Sequence, residues 1–407
     1  MYDILTIFAG FIFVFSAVAG GLARTPISGP IVFCAFGVLI GPLALDWFDV
    51  EVNAGGLRLL AEMTLALVLF ADAAKVDLGV LKRSAGIPRR LLLLALPLII
   101  VLGIGAGVAI FDNLTLLEIA LVATMLAPTD AALGSAVVTD ERVPSKIRQG
   151  LSVESGLNDG ICVPILFVFL ALATESTHGA SGTELALLLV AEEIGIGAAV
   201  GIGVTFVGAE FLKFCRDRGW VTETWRQLPV ITLAIGSFAA AQLIGGSGFI
   251  AAFVGGLLFG VLAKERKHVL MLAAEGTGET VALVTWVVFG AVIVGHTIDH
   301  IIWEAALYAL LSLTVIRMLP VLLVLTGTGL RLGEKLFIGW FGPRGMASIV
   351  FGVIVLQAEL PGGEVLTQTV LYTVVFSVLA HGLTANPLIA ALTAKRNGGS
   401  TQSDSST

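Results

Sequence analysis

Residues 149–172 read QGLSVESGLNDGICVPILFVFLAL, an apolar run that nevertheless carries Glu154, Asn158 and Asp159. An ionised carboxylate at the centre of a bilayer costs roughly 3 kcal/mol even on lenient insertion scales, so an acid at that depth faces a water-filled cavity, a partner charge or a moving ion. The stretch predicts a membrane-spanning helix that lines a path for ions.

Its surroundings agree. The chain has 407 residues, of which 57% are hydrophobic and 13% charged, and a mean hydropathy of +0.99. That balance excludes an ordinary soluble domain. Apolar runs long enough to cross hydrocarbon as helices recur along it. They lie at 4–22, 27–45, 57–75, 90–111, 115–138, 150–173, 186–214, 227–245, 248–263, 278–297, 301–326, 335–357 and 366–392. A membrane barrel would instead alternate at period two in strands of about ten residues. The expected fold is therefore an all-α polytopic bundle of about 13 helices. Asp3, in place of a basic leader, precedes the first run, which is kept as a permanent helix. Cys34, Cys162 and Cys215 show no paired spacing and suggest neither disulfides nor a metal site.

Basic residues fix the expected orientation. Twenty of the 23, from Arg24, Lys75, Lys82 and Arg83 to Lys395 and Arg396, fall in alternate loops, whereas the opposite loops hold Asp46, Asp49, Glu51, Asp112, Glu175, Asp299, Glu359 and Glu364 with Arg58 as their one base. An outside N-terminus and a cytoplasmic C-terminus follow, which requires an odd number of spans. Arg317 and Arg344 remain, both inside apolar runs. Residues 1–394 read as one transmembrane domain and 395–407 as a short disordered cytoplasmic tail. The net charge of −7 gives no sign of nucleic-acid binding.

Two runs look interrupted. The fifth carries Pro128, Thr129 and Asp130, with a break near 126–132; the twelfth carries Gly342, Pro343, Arg344 and Gly345, with a break near 341–346. Proline removes a helical hydrogen bond, so backbone groups are freed at both places. One run enters the membrane from each side, as in the inverted pairs of broken helices that form ion sites in transporters.

Asp159 is the first candidate to hold either a proton or a hard monovalent cation. Asn158 can support it or steady the break. Asp130 and Thr129 can supply oxygens to a cation or cap a half-helix. Asp72 can complete the oxygen shell or line the access path beside Lys75, and Ser155 lies one turn before Asp159. Glu154 needs a cation, either Arg317 or Arg344. Glu62, Glu192, Glu193, Glu210 and His381 read as interfacial groups able to snorkel to water.

The order Pro-Thr-Asp at 128–130, VESGLNDG at 153–160 and GPRGMAS at 342–348 resembles the NhaP-type sodium/proton antiporters of the monovalent cation/proton antiporter superfamily. The resemblance covers nearly the whole chain. It implies a thirteen-helix homodimer with inverted repeats, a moving core bundle and a dimer-forming scaffold. It also implies that Asp159 is the carboxylate that binds cation and proton, that Asn158 is its motif partner, that Thr129 and Asp130 contribute from the crossing helix, and that Glu154 is a structural ion-pair partner. Asn-Asp in place of two acids implies electroneutral one-for-one exchange of Na+ or Li+ for H+, with K+ as the alternative ion. Neither a cofactor nor covalent catalysis is expected. An intramembrane aspartyl hydrolase would need Gly-x-Gly-Asp and Tyr-Asp motifs, which are missing, and a passive channel fits a single acidic cluster poorly.

Overall fold

A computed structural model describes residues 2–400 except 23–24, 26–27, 48–53, 77–85, 179–182, 223–224, 226–227, 264–266 and 295–300. All thirteen apolar runs are helical. The first four are α1 (Tyr2–Leu22), α2 (Gly29–Ile40), α3 (Ala54–Lys75) and α4, Gly86–Ile110, whose Leu91–Ala95 turn is a π-helix. The interrupted fifth run gives α5 (Leu116–Met125) and the short α6 (Ser135–Val138). Next come α7 (Ser145–His178), α8 (Thr183–Asp217), α9 (Leu228–Leu243), α10 (Gly248–Leu262) and α11 (Lys267–Val288). The eleventh run bends at Thr314 into α12 (Trp303–Leu313) and α13 (Val315–Val324). The interrupted twelfth gives α14 (Leu332–Trp340) and α15 (Met346–Leu356), and α16 is Gly363–Ser400.

Among the described residues five helices are long and apolar enough to cross a membrane unaided, and seven more are apolar but shorter. Two sequence expectations change here. The tenth helix begins at Lys267, about three turns before the apolar run at 278, because helix propagates through polar residues wherever no proline intervenes. For the same reason α16 continues past Lys395 to Ser400, where an irregular tail was expected. Residues 401–407 lie outside the described residues, as do Arg24, Lys82, Arg83, Arg226, Lys264 and Arg266 from the charge count.

Lipid is as apolar as leucine, so helices gain by close van der Waals approach through small residues. α10 meets α3 in this way: a Cβ on Gly256 would overlap the Phe70 carbonyl, and one on Gly260 would come 2.5 Å from the Ala74 carbonyl oxygen. α7 packs on α10 where the ring of Phe253 covers Gly160. These contacts fix α3, which carries Asp72, and α7, which carries Asp159, against one helix. Gly256→Val is therefore expected to lower stability by roughly 1–3 kcal/mol through overpacking. Gly203→Ala, at a position with open space, serves as control. Thermal unfolding in detergent checks the pair; equal melting temperatures would contradict the packing account.

Candidate ion site at the crossed broken helices

Between α5 and α6, residues 126–134 leave the regular helix, and several of the freed groups find partners across the crossing. The Met125 carbonyl accepts from Ser348 Oγ at 2.8 Å, and the Thr129 carbonyl accepts from Ser155 Oγ at 2.6 Å. Arg344 Nη1 donates to the carbonyls of Leu126 and Pro128. Asp130 N–H donates to the Pro343 carbonyl at 2.7 Å. In hydrocarbon each orphaned group would cost several kcal/mol, so this set of partners holds the break open.

The second break is satisfied in the same manner. The Asp130 carboxylate accepts from Leu133 N at 2.9 Å on its own side and from Met346 N at 2.8 Å across the crossing. It thereby caps the start of α15, where a negative charge also opposes the positive end of the helix dipole. Gly345 is required here, since any Cβ would overlap that carboxylate. Arg344 N–H donates to Ser377 Oγ at 2.6 Å, and His381 Nε2 reaches the Trp340 carbonyl at 2.8 Å. His381 is thus a buried strut between α14 and α16, which corrects its reading as a snorkelling group. Sequence could not show this, because an amphipathic residue near a span end looks the same in either role.

The buried charges resolve clearly. Glu154, 2% exposed, is gripped by Arg317 at 2.5 and 2.9 Å. Gly342 makes room for that guanidinium, since a Cβ there would lie 2.9 Å from its Cζ. The alternative pairing with Arg344 is excluded, because Arg344 points at the α5 carbonyls. Outside the bundle core, Arg142 makes paired contacts to Asp140 in the loop entering α7 and holds that carboxyl below its usual range.

The six proposed ion-site residues separate into two groups. Asp159, Asp130 and Asp72 line one cavity of about 660 Å3. Ser155, Asn158 and Thr129 stand behind it and bond to one another: Asn158 Nδ2 donates to Thr129 Oγ1 at 2.8 Å, and Ser155 donates to the Thr129 carbonyl. Asp72 pairs with Lys75 at 3.3 Å. Asp159, 7% exposed, is the one carboxylate on this cavity whose oxygen, Oδ1, is buried with no hydrogen-bond partner among the described residues. Ser135, Ser152, Gly156 and Trp286 also line the cavity and were missed in the sequence. Spacing offered one signal, since Arg148, Ser152, Gly156 and Asp159 fall on a single stripe of α7.

An all-helical bundle with two broken helices crossing beside an unpartnered carboxylate defines the class of secondary transporters built on discontinuous helices. The chain belongs to the sodium/hydrogen exchanger family, whose transmembrane family model matches residues 10–391. It is similar to the K+/H+ antiporter NhaP of Alkalimonas amylolytica, 25% identical over 93% of this chain and 65% of that protein. It is also similar to a Na+/H+ antiporter of Schizosaccharomyces pombe, 22% identical over 70% of this chain and 67% of that protein. Among solved structures it resembles the sodium proton antiporter MjNhaP1 of Methanocaldococcus jannaschii, with a TM-score of 0.76 and 20% identity over 94% of this chain and 100% of that one. The chain spans between 45% and 67% of the length of these and other curated relatives.

Removing one member of a buried ion pair strands the other. Arg317→Met is expected to cost roughly 3–5 kcal/mol, and adding Glu154→Gln should restore part of the loss. Thermal unfolding of the single and double variants checks this; a double variant less stable than the sum of its singles would refute the pairing's structural role.

Proposed function

We propose that this protein is an antiporter that exchanges Na+ or Li+ for H+ across the cell membrane, one for one, by alternating access. One observation carries the reading: Asp159 presents a buried, unpartnered carboxylate oxygen at the wall of a cavity. A lone carboxylate in such a place needs a counter-charge. A proton and a small metal cation both provide one at the same oxygens, so each must leave before the other binds. Exchange follows from that competition when the site changes sides only with one or the other bound.

Asp72 and Asp130 add negative charge around the cavity and favour a cation over an anion. Asp130 contributes through the oxygen lone pairs that its two backbone bonds leave free. Thr129, Ser155 and Asn158 position α7 against the break; Asn158 bonds through Nδ2 and keeps an unpartnered Oδ1, whereas Thr129 and Ser155 have their oxygens engaged in these bonds. Asn158, neutral beside Asp159, limits the cycle to one exchanged charge and supports electroneutrality. Lys75 and Arg148 among the cavity's lining residues support a mouth at the basic end of the bundle, which the charge pattern of the loops assigns to the cytoplasm. The family resemblance supports a homodimer.

K+ is the second reading, favoured by the K+/H+ antiporters among the relatives. The test is cation-driven proton movement in proteoliposomes with an internal pH dye, with and without a clamp on the membrane potential. Na+ or Li+ should move protons at a rate indifferent to the clamp, and Asp159→Asn should abolish the movement without loss of fold. Activity in a correctly folded Asp159→Asn protein would refute the assignment; dependence on the clamp would refute electroneutrality. A response to K+ alone would select the second reading.

A further inference from the structure

A second cavity, of about 220 Å3, lies along the same two helices as the first. Its walls include Arg58 and Glu62 of α3, Phe167 of α7, Glu193 of α8 and Gln242 at the end of α9. On α3, Glu62 precedes Asp72 by ten residues, about 15 Å at the helical rise; on α7, Phe167 follows Asp159 by eight, about 12 Å. The two cavities therefore sit at opposite ends of one helix pair. The turns between them carry Leu65, Leu69, Val163 and Leu166, all buried. Both cavities end at an apolar plug, and Asp159 lies on the side of the larger one.

The smaller cavity has its own charge chemistry. Glu62 is largely buried and ion-paired with Arg58 at 2.6 Å, while Arg58 itself is half exposed at the cavity rim. The N–H of Ser247, the cap of α10, donates to the Glu193 carbonyl at 2.9 Å and fixes α8 to that helix. Three helices from one side of the cavity, α3, α8 and α10, thus form a fixed wall. Phe167, Phe249 and the partly buried Ile354 of α15 line the rest of it. Phe167 and Ile354 belong to the two helices, α7 and α15, that carry Asp159 and the second break.

We infer that this cavity is the closed port through which the cation reaches Asp159 from the opposite face, with Glu62 as the carboxylate that recruits it and Arg58 as the cation it displaces. The inference rests on the antiport reading. With the port closed, the guanidinium neutralises Glu62. When α7 and α15 withdraw Phe167 and Ile354, an incoming monovalent cation competes with Arg58 for the same oxygens. Arg58, half exposed at the rim, can turn to solvent as the incoming cation takes its place on Glu62.

Sidedness gives the test. In sealed vesicles of the two opposite orientations, Glu62→Gln should raise the KM for cation at least about threefold in one orientation only, through loss of local attraction. Arg58→Gln should lower it in that same orientation. Gln242→Glu, at an exposed wall position, should also lower it there and does not depend on the ion pair for folding. Equal shifts in both orientations, or no shift with Gln242→Glu in an active protein, would overturn the port. Absence of exchange by the unaltered protein in either orientation would instead overturn the antiport reading, and the port with it.

Discussion

The crossing of the two broken helices depends on Asp130. Its N–H holds the Pro343 carbonyl and its carboxylate holds Met346 N–H, so one residue satisfies a donor and an acceptor that the facing break would otherwise leave bare in hydrocarbon. A proline break is tolerated in a membrane only when neighbours replace the lost bonds. Each interruption here is the neighbour that repairs the other. Each half of the crossing thus supplies hydrogen bonds to the other, and the cavity with Asp159 lies beside it.

Charge follows the same economy. Glu154 and Arg317 neutralise each other, and Arg344 is spread over backbone carbonyls whose dipoles point at it. Asp130 is spent on amides. Asp72 has Lys75. Among the carboxylates that line the cavity, Asp159 is left with an unpartnered buried oxygen among the described residues, and it is this remainder, not the number of acids, that distinguishes it there. Residues that hold the architecture and residues that face the cavity thus alternate along α7, with Glu154, Ser155 and Asn158 turned to the break and Ser152, Gly156 and Asp159 to the cavity.

Close helix contact makes this arrangement rigid enough to carry function. α3 and α7 both lie against α10 through glycine contacts, which set the positions of Asp72, Asp159, Glu62 and Phe167 along two neighbouring helices in this conformation. Opposite ends of that pair hold the two cavities. A small displacement of α7 and α15 against α3, α8 and α10 would therefore affect both at once, which is the property an alternating device needs.

The sequence by itself determined the all-helical membrane fold, the thirteen apolar segments and both interruptions, and it singled out Asp159 as the candidate, because each rests on residue type along one helix: apolar length, a proline, or an acid where acids are costly. Only the tertiary structure decided which arginine serves Glu154, that Arg344 and His381 are buried struts, and that Thr129, Asn158 and Ser155 bond to each other behind the cavity. Those are choices among chemically equivalent partners more than a hundred residues away or on other helices, and the pattern within a single helix does not contain the distance between two of them.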